Sequence, residues 1–185
     1  KIHVHENNIY TNCGPTTHCI DKSTGKKVWE DYFSSNTRIR IDGQYMYMLD
    51  KNSILCLNKK YGKREWKFNT DYNSIGRLFV GKDRLFCDVS GGGICSLSKY
   101  NGELLDVRSF EGNISVRDEK SNRIYITQVR DQKSNAVTAL NKSSLGTEFE
   151  LQYNYSGLPD LPFHYQGQSF LFFGSKTKGI LSVSI

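Results

Sequence analysis

Five cysteines and four histidines are the side chains of this 185-residue chain best suited to nucleophilic, redox or metal chemistry. The cysteines stand at positions 13, 19, 56, 87 and 95, and the histidines at 3, 5, 18 and 164. A zinc site needs closely spaced cysteine or histidine pairs, and Cys13, His18 and Cys19 do not supply them. His3 and His5 alternate on one face of a short β segment, which would suit a weak metal pair, although side chains so placed are more simply solvated. The patterns Gly-x-Ser-x-Gly, His-Glu-x-x-His and the P-loop are absent. Ser90-Gly91-Gly92-Gly93 resembles a phosphate loop but lacks the following lysine and helix, so it reads as a hairpin turn. The expectation is a chain with no catalytic residue, no metal and no cofactor.

Where the cysteines fall is more informative than their number. Cys19 and Cys56 occupy equivalent points of a repeated pattern, "CIDKSTGKKVW" and "CLNKKYGKREW", and Ser96 and Ala139 take that point in later copies. The position therefore calls for a small buried side chain. Equivalent points of successive repeats belong to different sheets, too far apart to bridge. Five free thiols in a reduced, cytoplasmic setting are expected.

The same repeat carries the basic residues. Lys22, Lys26 and Lys27 in the first copy and Lys59, Lys60, Lys63 and Arg64 in the second lie in one hairpin of each copy. Residues 1–80 hold 13 Lys/Arg against 8 Asp/Glu, and residues 81–185 hold 12 against 11, so most of the net +6 sits in the first half. Adjoining hairpins would merge these side chains into a basic patch for an acidic protein surface. Nucleic acid is the weaker candidate, because only Tyr61 offers an exposed ring among the charges. The longest apolar run, Ser169 to Phe173, is too short to cross a bilayer as a helix.

These side chains are positioned by a recurring unit. A glycine recurs at Gly25, Gly62, Gly102 and Gly146, spaced 37, 40 and 44 apart. An apolar–polar pair precedes each: Ile20-Asp21, Leu57-Asn58, Leu97-Ser98 and Leu140-Asn141. About four residues later come Trp29, Trp66, Asp106 and Phe149, so the third unit lacks the aromatic. Upstream lie short alternating segments such as Tyr45-Met46-Tyr47-Met48 and Arg123-Ile124-Tyr125-Ile126, bounded by turn residues including Asp42-Gly43 and Gln166-Gly167. No helical apolar period extends beyond two turns. A period near 40 residues with four short strands predicts an all-β fold, a β-propeller of about five four-stranded blades with the last incomplete. The expected units are 1–36, 37–76, 77–114, 115–158 and 159–185, within a single domain 1–185. An antiparallel sandwich would space its strands similarly but gives no reason for Gly and Trp to recur in register.

The pattern small-apolar-Asp-x-x-Thr-Gly-x-x-x-Trp resembles the repeat of quinoprotein-type (PQQ-like) β-propellers. "CIDKSTGKKVW" matches it closely, "CLNKKYGKREW" well, and "SLSKYNGELLD" and "ALNKSSLGTEF" loosely. The resemblance implies that Gly25, Trp29, Gly62, Trp66, Gly102 and Gly146 lock neighbouring blades, a structural duty that leaves activity open. It also implies where quinone chemistry would sit: a vicinal Cys-Cys pair, a tryptophan floor and carboxylates for calcium. No Cys-Cys pair is present, and the repeat accounts for both tryptophans. The functional expectation is a non-catalytic, protein-binding propeller, for instance a small cytoplasmic immunity-type protein that neutralises a toxin. The alternatives are a segment of a larger PQQ-like propeller acting as sensor or assembly factor, or an accessory domain of an enzyme.

Overall fold

In the computed structural model the described residues are 2–32, 39–50, 52–73, 75–110, 113–120, 123–129, 135–153, 163–165, 168–175 and 179–184. Of 113–120, 129, 135, 153 and everything beyond, the backbone alone is described. All regular structure among these residues is β-strand, in four four-stranded sheets and one three-stranded sheet. The fold is that of a β-propeller with an incomplete last blade.

The first blade is β1 (Ile2–His5), β2 (Asn8–Cys13), β3 (Thr16–Asp21) and β4 (Lys27–Tyr32). The second is β5 (Ile39–Asp42), β6 (Tyr45–Asp50), β7 (Ser53–Asn58) and β8 (Arg64–Asn69). The third is β9 (Ile75–Val80), β10 (Arg84–Val89), β11 (Gly93–Ser98) and β12 (Leu104–Ser109). The fourth is β13 (Asn113–Lys120), β14 (Arg123–Val129), β15 (Asn135–Asn141) and β16 (Thr147–Tyr153). The fifth is β17 (Phe163–Tyr165), β18 (Gln168–Ser175) and β19 (Gly179–Ser184). Each sheet runs in chain order. The expected unit borders at 76/77 and 114/115 fall two residues inside β9 and β13. Gln166-Gly167 lies outside the described residues.

The chain falls into two compact units, residues 1–86 with 97–105, and residues 87–96 with 106–185. The first unit holds the first two blades, β9, the start of β10 and the turn between β11 and β12. The second holds the fourth and fifth sheets, the β10–β11 hairpin end and most of β12.

The turn before the fourth strand explains the repeat. Asp21 Oδ1 accepts hydrogen bonds from the backbone N–H of Ser23 and Thr24, at 2.9 and 2.8 Å. The Gly25 N–H returns to the Asp21 carbonyl at 2.8 Å with φ at +69°, a left-handed conformation that glycine adopts without a Cβ clash. Asn58 with Gly62 repeats this closure, as does Ser98 with Gly102. In the fourth blade the residue that closes the turn is Leu145, not Gly146. The Leu145 N–H reaches the Asn141 carbonyl at 2.8 Å with φ at +53°. The expected glycine register is therefore one residue off there, and a leucine occupies left-handed space.

The small residue before each turn is explained by what faces it. Tyr10, Cys19 and Trp29 form one cross-strand row; so do Tyr47, Cys56 and Trp66, and Tyr125, Ala139 and Phe149. The two rings of each row tilt together over the small residue, with centroids 6.1, 6.0 and 6.3 Å apart. A larger side chain in the middle would push the rings apart. A β-bulge follows each small residue, at Cys19/Ile20, Cys56/Leu57 and Ala139/Leu140, and bends the outer strand into the turn.

Candidate functional site

The elements that present the basic hairpins also join one blade to the next. The Trp29 indole N–H donates to the Lys59 carbonyl at 2.9 Å, and the Tyr10 hydroxyl donates to the same oxygen at 3.4 Å. Trp29 lies flat enough on the second blade's turn that a Cβ on Gly62 would come within 2.6 Å of Cδ2. The arrangement repeats one blade on. Trp66 Nε1 and the Tyr47 hydroxyl both donate to the Lys99 carbonyl at 3.3 Å, and Gly102 lies under Trp66. Burial raises the Tyr10 hydroxyl to about 12 and drives the Tyr47 hydroxyl up as well, so both remain donors across the whole physiological range.

The lysine at the start of each turn contributes its side chain too. Lys59 Nζ pairs with Glu6 Oε2 at 3.0 Å and meets His5 Nδ1 at 3.4 Å, with its side chain only 13 % exposed. Lys99 Nζ pairs with Asp42 Oδ2 at 2.5 Å and is 11 % exposed. Both acids belong to the first hairpin of the preceding blade. The hydrogen bond and charge of Lys59 hold the Glu6 carboxyl below the usual range. Lys59 thus serves as a link between blades, a use of this lysine that its place in a basic run did not suggest.

The remaining basic residues are exposed. The Lys22 ammonium donates to the Glu6 carbonyl at 3.3 Å, so Glu6 brings Lys22 and Lys59, and hence the two hairpins, side by side. Lys27 pairs with Glu30 at 2.8 Å, and Lys60 sits 5.1 Å from the centroid of the exposed Tyr61 ring. Lys26, Lys63 and Arg64 form no ion pair among the described residues.

Gly25 has the same left-handed turn as Gly62 and Gly102, and a Cβ placed on it meets nothing within 4 Å among the described residues. The second blade's face around this junction buries Ile39, Met46, Met48, Leu55 and Leu57 in one cluster with Tyr10, Cys19 and Trp29. In the first blade the matching register positions of β1 are Ile2 and Val4, which are 71 % and 60 % exposed.

Sequence reasoning missed Tyr10, Tyr47, Glu6 and Asp42. A tyrosine stands nine residues before the small residue in the first two units, which was the available signal. The acids carry none, because their partners lie more than 50 positions away.

The described residues do not fit a quinone-and-calcium centre. Both tryptophans lie over glycines of the blade junctions, and no three His, Cys, Asp or Glu side chains converge on a metal position among the described residues. His18 faces Glu30 at 3.4 Å, and His5 faces Lys59 and Glu6.

Residues 1–151 match the family described as outer membrane protein assembly factor BamB. No curated protein sequence matches the chain. Among solved structures, BamB from Moraxella catarrhalis is similar with a TM-score of 0.66 at 13 % identity, over 97 % of this chain and 61 % of that one. The computationally designed Ika4 protein gives 0.63 at 14 % identity, over 76 % of this chain and 88 % of that one. A europium-containing methanol dehydrogenase gives 0.66 at 10 % identity, over 92 % of this chain and 46 % of that one. The chain therefore spans about three fifths of the Moraxella protein and less than half of the dehydrogenase.

Proposed function

Because the chain belongs to the family of the outer membrane protein assembly factor BamB, with its PQQ-like blades, we propose that it is a non-catalytic, protein-binding propeller of assembly-factor type. The observation that carries this reading is the pair of exposed basic hairpins that Glu6 brings side by side. Lys22, Lys26 and Lys27 lie on the first, and Lys60, Lys63 and Arg64 on the second. Clustered exposed charge of one sign steers and selects a protein surface of the opposite sign. The fitting partner is a protein surface with carboxylates for these residues.

The likeness to a dehydrogenase is one of fold, and both tryptophans are committed to packing on Gly62 and Gly102. No observation favours a toxin-neutralising role or an enzyme accessory role over the assembly-factor reading.

A photo-crosslinking residue at the exposed Tyr61 of the second basic hairpin, with another at the exposed Tyr100 as control, tests the proposal in cells of the native source. The expected result is one protein adduct at Tyr61, absent at Tyr100 and weakened when Lys26 and Lys63 are reversed to Glu. Adducts at Tyr100 alone, or a Tyr61 adduct indifferent to the reversals, would overturn it.

A further inference from the structure

Cys87 on β10 and Cys95 on β11 bring their sulfurs to 2.8 Å, and both side chains are fully buried. All five cysteines are free thiols in this structure, and these two alone among them are in contact. Cys19 and Cys56 belong to different sheets, and Cys13 is exposed. The pair is not a by-product of the small-residue rule either. In the matching row the first blade pairs Thr11 with His18, the second pairs Met48 with Leu55, and the fourth pairs Ile126 with Thr138. Bulk is welcome in that row, yet the third blade places two thiols there.

We propose that Cys87 and Cys95 form a redox site that closes to a cross-strand disulfide and reopens under reducing conditions. Neighbouring antiparallel strands hold opposed Cα atoms about 4.5–5.5 Å apart, inside the range a disulfide spans. The sulfurs need approach by less than about 1 Å to reach bonding distance. The oxidant is a low-molecular-weight disulfide. One protein thiolate attacks a sulfur of that disulfide, which leaves a mixed disulfide and expels one small thiol. The second protein sulfur then displaces the other small thiol. The two protein thiols lose two protons and two electrons, and the oxidant is reduced to two thiols. The Cys95 thiol beside it and burial keep the Cys87 thiol protonated well above its ordinary range. The first attack is therefore slow in the closed sheet and quickens when the β10–β11 hairpin opens. The ring closed by the bond is short and includes Gly91 and Gly92, both in left-handed conformations, so the turn already accommodates the constraint.

The test uses the intact folded chain, independently of any partner. The protein is incubated with oxidised glutathione, alkylated in denaturant, digested and read by mass spectrometry. The expected product is a peptide pair joined through Cys87 and Cys95, with Cys19 and Cys56 alkylated. The thiol count falls by two and returns to five on reduction with dithiothreitol. In a Cys13→Ser background the same link should form, which separates it from intermolecular bridges through the exposed thiol. Glutathione retained singly on Cys87 or Cys95, alkylation of both, or a link between any other pair would overturn the proposal.

Discussion

The Trp66 ring lies so close over Gly102 that a Cβ there would stand 2.5 Å from Cε3. Trp29 covers Gly62 in the same way, while no described residue covers Gly25. Three glycines in one backbone conformation thus differ only in what lies above them, which separates the two reasons for having glycine there.

Alanine at each position reads the difference. Gly25→Ala incurs only the left-handed backbone cost, about 1–2 kcal/mol. Gly62→Ala and Gly102→Ala add an overpacking cost of about 1–3 kcal/mol against the indole. Urea unfolding of the three variants should therefore rank Gly25→Ala as the mildest. Equal losses would mean that the turn conformation alone selects glycine.

The tryptophans are expected to matter through packing first and hydrogen bonding second. Trp29→Ala should cost about 3–5 kcal/mol, in line with large aromatic truncations. Trp29→Phe keeps the ring but loses the N–H to the Lys59 carbonyl, and should cost about 1 kcal/mol from the lost bond. A phenylalanine variant as damaged as the alanine one would place the weight on the hydrogen bond instead.

The Gly–Trp register was legible in sequence because the turn glycine and the tryptophan of the following strand keep a spacing of four in the first two units. Leu145 was not. A glycine stands beside it at position 146, and non-glycine residues enter left-handed space too rarely to be expected there. The structure gives a context for the exchange. The third blade has Asp106 where Trp66 stands in the second, so no indole is available for the fourth blade's turn, and Leu145 is instead buried itself. The Arg108 guanidinium donates to its carbonyl and, at 2.5 Å, to Thr147 Oγ1. The role of Lys59 was equally hidden. Its charge looked like that of its neighbours, and only tertiary contact with Glu6 distinguishes it.

Leu145→Gly should therefore destabilise, unlike most replacements of a left-handed residue by glycine. Relief of about 1–2 kcal/mol in the backbone is outweighed by loss of a buried leucine, about 2–5 kcal/mol. Thermal or urea unfolding decides the sign. A net gain in stability would show that the leucine side chain contributes little to the packing around that turn.

The Lys59–Glu6 pair gives a pH signature. Glu6 has a folded-state pKa below its ordinary value, so its contribution is present above the unfolded-state pKa and is lost as pH falls through the folded value. Stability measured from pH 7 down to the acid limb should decline less steeply in Glu6→Gln than in the unaltered chain. The two should converge once both carboxyl states are protonated. Parallel curves throughout would remove Glu6 from the junction's energetics.

The exposed basic residues remain the place where charge can act on a partner. Lys26 and Lys63 are exposed and unpaired among the described residues, whereas Lys59 is held by Glu6. Lys26→Glu with Lys63→Glu lowers the formal net charge from +6 to +2, two charges per reversal, and should leave the melting temperature nearly unchanged. Lys59→Glu should lower it, because it sets two carboxylates against each other in a half-buried junction. On the partner, the double reversal should slow association about tenfold at low salt, within the span of electrostatic steering. The effect should shrink as the screening length falls from about 30 Å at 0.01 M salt to about 8 Å at 0.15 M. Stopped-flow association across that salt series checks both parts. If the double variant associates at the unaltered rate in 0.01 M salt, the two hairpins are solvated turns that take no part in recognition.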